Sequence, residues 1–180
     1  MTVAAIALPK WISFTSPVPS VPGRHSSPIQ ISYGLHTRCS SLTGTCSPFP
    51  QAEDCRGEDR YFCSMWRSVG FLMSLTVVFE LACLVGFAVV LLGGRQKHEN
   101  GWRMIAGLLG VVAITQCISM VLVAYLNDHD TRFSIGWSLD ASTILCTVSW
   151  VLVTLNIGGV VGAAFVLPPE DEYEPIADRD

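Results

Sequence analysis

Glu80 is the residue whose type and position most invite chemistry. It sits inside the apolar run from Ser68 to Leu92, about twelve residues and so ~18 Å from the start if the run is helical. That is near the middle of a hydrocarbon layer ~30 Å thick, where a charge costs ~2.5–3.5 kcal/mol on insertion scales. Such a carboxyl must be protonated, partnered or facing water. Two partners fall at similar expected depth: Gln116, about twelve residues into a second apolar run, and Asn156, about thirteen into a third. The three are expected to form one hydrogen-bonded layer. As glue between helices such bonds are worth ~0.6 kcal/mol each; the functional reading is a proton or ion relay. Glue is favoured, because a transport path needs more than one ionisable group and the runs hold no second one.

The cysteines are the second set. Of seven, Cys39, Cys46, Cys55 and Cys63 cluster before the first run, and Cys83, Cys117 and Cys146 fall one to a run. An even set in a short polar segment suggests disulfides in an oxidising compartment. Four cysteines allow three pairings, and the two local ones, Cys39–Cys46 and Cys55–Cys63, are expected. The rival is a zinc site, but no spacing is a CxxC and His36 is the one nearby histidine. The three cysteines in the runs are expected to be small apolar packing residues.

Catalysis has little support. There is no phosphate-cradling glycine loop and no zincin pattern, and His25, His36, His98 and His129 cannot share one site in the topology derived below. No enzyme activity, cofactor or metal is expected.

The elements that position these residues are set by the solvent. Only 14% of residues are charged, against ~25% in soluble domains, and mean hydropathy is positive. The apolar residues gather into runs at 68–92, 104–125 and 143–167, each long enough to cross a bilayer as a helix. The expected architecture is an α-helical membrane bundle with a small β-rich, disulfide-held extracellular domain, and lipid is its first partner. The net charge of −4 comes largely from the tail and no basic patch is present, so nucleic acid is not an expected partner. Trp66, Trp102, Tyr125 and Trp137 lie near the run boundaries, where amphipathic rings favour the headgroup zone.

Orientation follows from the short loops. Residues 93–103 carry Arg95, Lys97 and Arg103 against Glu99, whereas 126–142 carry Arg132 with Asp128, Asp130 and Asp140. The basic loop is expected on the cytoplasmic side. Residues 12–67 and 126–142 then lie outside and the acidic tail, 168–180, inside. Arg67 sits awkwardly at the outer edge of the first run. Residues 1–11 admit two readings. The first run is a reverse signal-anchor, or residues 1–11 are the outer end of a further helix, an apolar scrap closing on Pro9, Lys10 and Trp11 like an interfacial exit. The second is favoured and implies four helices in the full-length form.

Within 12–67, residues 12–28 are rich in Pro and Ser and are expected to be extended and irregular. Ile29 to Leu35 alternates as a strand does, and Ser40–Thr45 supplies a turn before Cys46. Helix contacts are expected at two pairs of small residues four apart, Ala106 with Gly110 and Gly158 with Gly162, within the bundle or between copies.

Trp11, then Gly34-Leu35, Cys39 and Cys46 resemble the W…GL…C…C pattern of the claudin-like superfamily, nearest to its fungal cortical-patch and pali-type members. The resemblance implies four helices and a β-rich first extracellular loop fastened by the paired cysteines. His36 stands where a tryptophan usually follows Gly-Leu, and Cys55 and Cys63 are an additional pair; both depart from strand-polymerising claudins. In the tail, Tyr173-Glu174-Pro175-Ile176 resembles a tyrosine-based sorting signal, with Tyr173 and Ile176 as its two determinants.

The expected function is therefore non-catalytic: a multi-pass protein of the plasma membrane, or another secretory-pathway membrane, that organises membrane domains or contacts lateral partners or its own copies. The alternative is an auxiliary or sensing subunit for ion transport or ambient-pH signalling, with Glu80 as the titrating group.

Overall fold

The computed structural model describes residues 1–16, 28–57, 60–92, 95–133 and 136–166, with 95–100 described as backbone only. The elements are α1 (Thr2–Ala7), β1 (Ile12–Thr15), β2 (Gln30–Tyr33), β3 (Thr37–Ser40), β4 (Thr45–Pro48), α2 (Arg60–Leu92), α3 (Arg95–His129), β5 (Trp137–Leu139) and α4 (Ala141–Val166).

Three helices, Arg60–Leu92, Gly101–His129 and Ala141–Val166, are long and apolar enough to cross a membrane, and the chain is a multi-pass membrane protein on that ground. Their outward faces carry Val78, Leu81, Leu84, Val85, Ile114, Val121, Leu152 and Leu155 exposed. Such continuous apolar surface is untenable in water and natural in lipid. The helices overrun the expected runs. Residues 60–67, expected in the β-type segment, form the first two turns of α2, and the expected loop 93–103 is helical from Arg95 onward. Polar residues there extend a helix already nucleated by its apolar part, since each further residue adds a backbone hydrogen bond.

The sheet caps one end of the bundle. All five strands are antiparallel, in the order β4-β3-β2-β1-β5. Ile12 stands opposite Tyr33 on one side and Leu139 on the other. Strand β1 thus begins where an irregular stretch is expected, and β5 lies in a loop that sequence periodicity leaves unassigned. Its three residues are too few for a periodic signal. Cys39 and Cys46 are directly opposite on β3 and β4 and bonded, as are Cys55 and Cys63. Gly44 (φ 64°) turns the β3–β4 hairpin, a conformation open to glycine at little cost.

Sheet and bundle share one core. Tyr33 and Phe49 from the sheet side meet Phe62 and Trp66 of α2, and Phe133 and Trp137 from the α3–α4 connection. Ring centroids lie 4.8 Å apart for Tyr33–Phe49, 5.6 Å for Phe49–Trp66 and 5.8 Å for Phe62–Phe133. Aromatic pairs in this range add ~0.5–1.5 kcal/mol each beyond burial. Trp66 is fully buried and so is no headgroup-level ring as expected; it is the floor on which the sheet rests. Tyr125, by contrast, is half exposed and stacks on His129 at 4.3 Å.

The segment between α1 and β1 is tied to the start of α4. Ser142 N–H donates to Lys10 O at 2.9 Å, Ser142 Oγ to Leu8 O at 3.0 Å and Thr143 Oγ1 to Trp11 O at 3.0 Å. A helix N-terminus leaves N–H groups without partners inside the helix, and the connector's carbonyls supply one. Trp11 donates Nε1–H to Ala5 O and its backbone N–H to Tyr33 O. It therefore joins α1, the sheet and α4. Gly34 is required because a Cβ there would lie 2.5 Å from Pro9 Cα, and Leu35 beside it is buried.

Candidate functional site

Glu80, Gln116, Ser149 and Thr2 meet inside the bundle, one from each helix. Gln116 is fully buried. Its Nε2 has Glu80 Oε1 at 3.1 Å, Thr2 Oγ1 at 3.2 Å and Ser149 Oγ at 3.2 Å. Thr2 Oγ1 donates to Glu80 Oε1 and lies 3.0 Å from Ser149 Oγ. Next to this cluster, the hydroxyls of Thr76, one turn before Glu80 on α2, and of Thr115, adjacent to Gln116 on α3, are 2.9 Å apart. Each also has a backbone carbonyl of its own helix in reach, Leu72 O and Val111 O.

Hydrogen counting defines what the cluster can do. The amide offers two hydrogens and each hydroxyl one. An ionised Glu80 only accepts, and Oε1 receives two of these four hydrogens. Hydrogen bonds to a charged group are worth ~1.5–3 kcal/mol each, so two offset the ~2.5–3.5 kcal/mol insertion cost of the charge. The remaining two hydrogens are absorbed among Thr2 and Ser149. Gln116 Oε1 is left buried and without a hydrogen-bond partner among the described residues, an open acceptor beside the carboxyl.

Asn156 does not join this layer. It is exposed and donates to Leu152 O of its own helix at 2.8 Å. Ser149, seven residues nearer the sheet and thus almost on the same helical face, takes its place. Equal depth counted from run edges presumes helices that start level, and α2 projects two turns beyond its apolar run. Sequence reasoning also missed Thr2, because an N-terminal threonine carries no spacing signal. Thr76 was missed too, although its place one turn before Glu80 on the same face was a signal that could have found it.

Within the bundle, the expected small-residue pairs do not mark the close approaches of the helices. A Cβ at Gly110, Gly158 or Gly162 would meet nothing within 4 Å, and Gly158 and Gly162 are exposed. Ala106 is half-buried. The close approach of α2 to α3 occurs instead at Gly101, where a Cβ would lie 2.5 Å from Val90 Cγ2, and at Gly86 against Ile105. Cys83 and Cys146 are buried and Cys117 partly so, all three as free thiols. Tyr173 and Ile176 lie outside the described residues.

The second candidate is the β3–β4 hairpin. Strand β4 is exposed along its whole length and is one edge of the sheet. Leu42 at the tip is 68% exposed, and the Cys39–Cys46 bond crosslinks the two strands below it. At the hairpin's base, burial pushes the Tyr33 phenol up while neighbouring Arg38 acts against it. Among the described residues no His, Cys, Asp or Glu cluster is built to hold a metal.

Fold and sites together define a helical membrane protein carrying a disulfide-held sheet at one end. Neither a scan of protein-family models nor a search of curated proteins gives a match for this chain.

Proposed function

We propose that this protein is a non-catalytic organiser of membrane domains, acting in the plasma membrane and making lateral contacts through the sheet that it holds outside the cell. The observation carrying this reading is the exposed β4 edge with Leu42 at its tip, crosslinked by Cys39–Cys46 and fixed to the bundle through Trp66 and Phe49. An exposed strand edge is a template for pairing with another chain, and a crosslinked hairpin presents it with little ordering cost on binding. The resemblance to the claudin-like superfamily supports the same reading. The test is lateral diffusion of fluorescently tagged protein at the cell surface. Wild type should be confined to slow patches, and Leu42→Asp combined with Cys39→Ser and Cys46→Ser should disperse it at equal surface abundance. Unchanged confinement in that variant overturns the proposal.

A second reading is favoured by the open acceptor at Gln116 Oε1 beside Glu80: a sensing subunit that responds to protons or ions through that carboxyl. Glu80→Gln separates the two. Normal patches with a lost pH or ion response support sensing; lost patches with an intact response argue against it.

A further inference from the structure

An open groove of ≈790 Å³ runs along the sheet-side end of α2, outside both sites above. It is lined by Arg60, Ser64, Arg67 and Ser68, with Phe71 and Leu72 below and the Cys55–Cys63 disulfide as one wall. Arg60, Ser64, Arg67, Ser68 and Phe71 follow one stripe of the helix, at spacings of four, seven, eight and eleven residues. All five are exposed. No carboxylate lines the groove among the described residues.

Depth gives this stripe its meaning. The apolar run begins at Ser68, so Arg67 sits at the edge of the hydrocarbon and Arg60 ~10 Å above it. The headgroup layer on each side is roughly 5–8 Å thick, and helical side chains lean toward the helix N-terminus, here toward the sheet. Arg67 therefore reaches up into the phosphate level, and Phe71, 68% exposed, lies one turn deeper at the level of acyl chains. Cations above and apolar surface below are the two halves of a lipid. The disulfide holds the chain from Cys55 against α2, where Cys63 Sγ also approaches Asp54 O at 3.5 Å, and so keeps the wall in place.

We infer that this groove binds the phosphate-bearing headgroup of an anionic phospholipid in the leaflet on the sheet side, with Arg67 on the phosphate, Arg60 above it at the outer rim of the headgroup layer, and Phe71 and Leu72 on the acyl chains. Guanidinium groups suit phosphate because they donate in a planar fork. The additional cysteine pair then has a role that the hairpin disulfide does not serve.

The test is native mass spectrometry of the detergent-purified full chain, titrated with phosphatidylglycerol, diacylglycerol or inorganic phosphate. Phosphatidylglycerol should be retained in preference to diacylglycerol. Arg67→Gln should weaken retention about fivefold, and Arg67→Lys should recover most of it. Intact mass confirming both disulfides shows that the variants have folded. Equal retention by the glutamine variant, or diacylglycerol held as well as phosphatidylglycerol, overturns the inference. Displacement of the lipid by equimolar inorganic phosphate also overturns it, in favour of a site for the free anion.

Discussion

At the residue scale the molecule turns on Gln116, whose amide touches Glu80, Thr2 and Ser149 at once. Gln116→Leu removes a donor from the buried carboxyl and should destabilise the protein by about 1–3 kcal/mol, read as thermal unfolding in detergent. Ser149→Ala should cost about 1 kcal/mol or less, since the amide keeps two other acceptors. Asn156→Leu should be neutral, because its side chain bonds only to a carbonyl already engaged in its own helix; a loss as large as that of Gln116→Leu would return Asn156 to the layer. Gly34→Ala drives a methyl against Pro9 Cα and should cost about 1–3 kcal/mol, seen as reduced yield of disulfide-bonded protein. Glu80 and Gln116 were legible in sequence as polar residues at one depth. Ser149 was not, since serine is common in apolar helices and only its position relative to α1 gives it a partner.

At the element scale, the hairpin and the glycine pairs behave oppositely to their prominence in sequence. Cys39→Ser with Cys46→Ser opens a loop with a sequence separation of 7 and should cost about 2.5 kcal/mol on the chain-entropy estimate. The loss should stay local, visible as faster amide exchange in β3 and β4 with α2–α4 unchanged, because the aromatic core and not this bond ties sheet to bundle. Gly158→Leu and Gly162→Leu point into open space within the chain and should leave monomer stability within about 0.5 kcal/mol. A large loss of stability in the monomer would show that the fourth helix packs differently. Small residues four apart are a necessary feature of close helix approach and not a sufficient one; which face they occupy is fixed by the rest of the helix.

At the scale of the whole molecule, the sheet and the bundle are a single packed body, and Arg132 is a joint between its parts. It donates to Asp54 O at 2.9 Å and lies 4.6 Å from the Phe62 ring centroid, linking the α3–α4 connection to the Cys55–Cys63 segment and α2. Arg132→Ala should cost about 1.5–3 kcal/mol and accelerate reduction of Cys55–Cys63 by a mild thiol, with Cys39–Cys46 unaffected. Orientation is tested by a membrane-impermeant thiol reagent on intact cells. Cysteine placed at Thr43 in the hairpin tip should be labelled, and cysteine placed at Gln96 should not until the membrane is permeabilised. Labelling in the reverse order would invert the topology.

The three spans, the turn at 40–45 and the preference for local disulfides among three allowed pairings were expected from the chain alone. Each depends on local quantities: the length of an apolar run, the proximity of thiols in sequence, the backbone freedom of one residue. The membership of the polar layer, the burial of Trp66 and Trp11, the strand at Trp137–Leu139 and the outward-facing glycines were decided only when the helices found their relative heights and rotations. A bilayer constrains how long a helix must be but leaves its vertical offset and spin to packing, and those two variables choose which side chains meet.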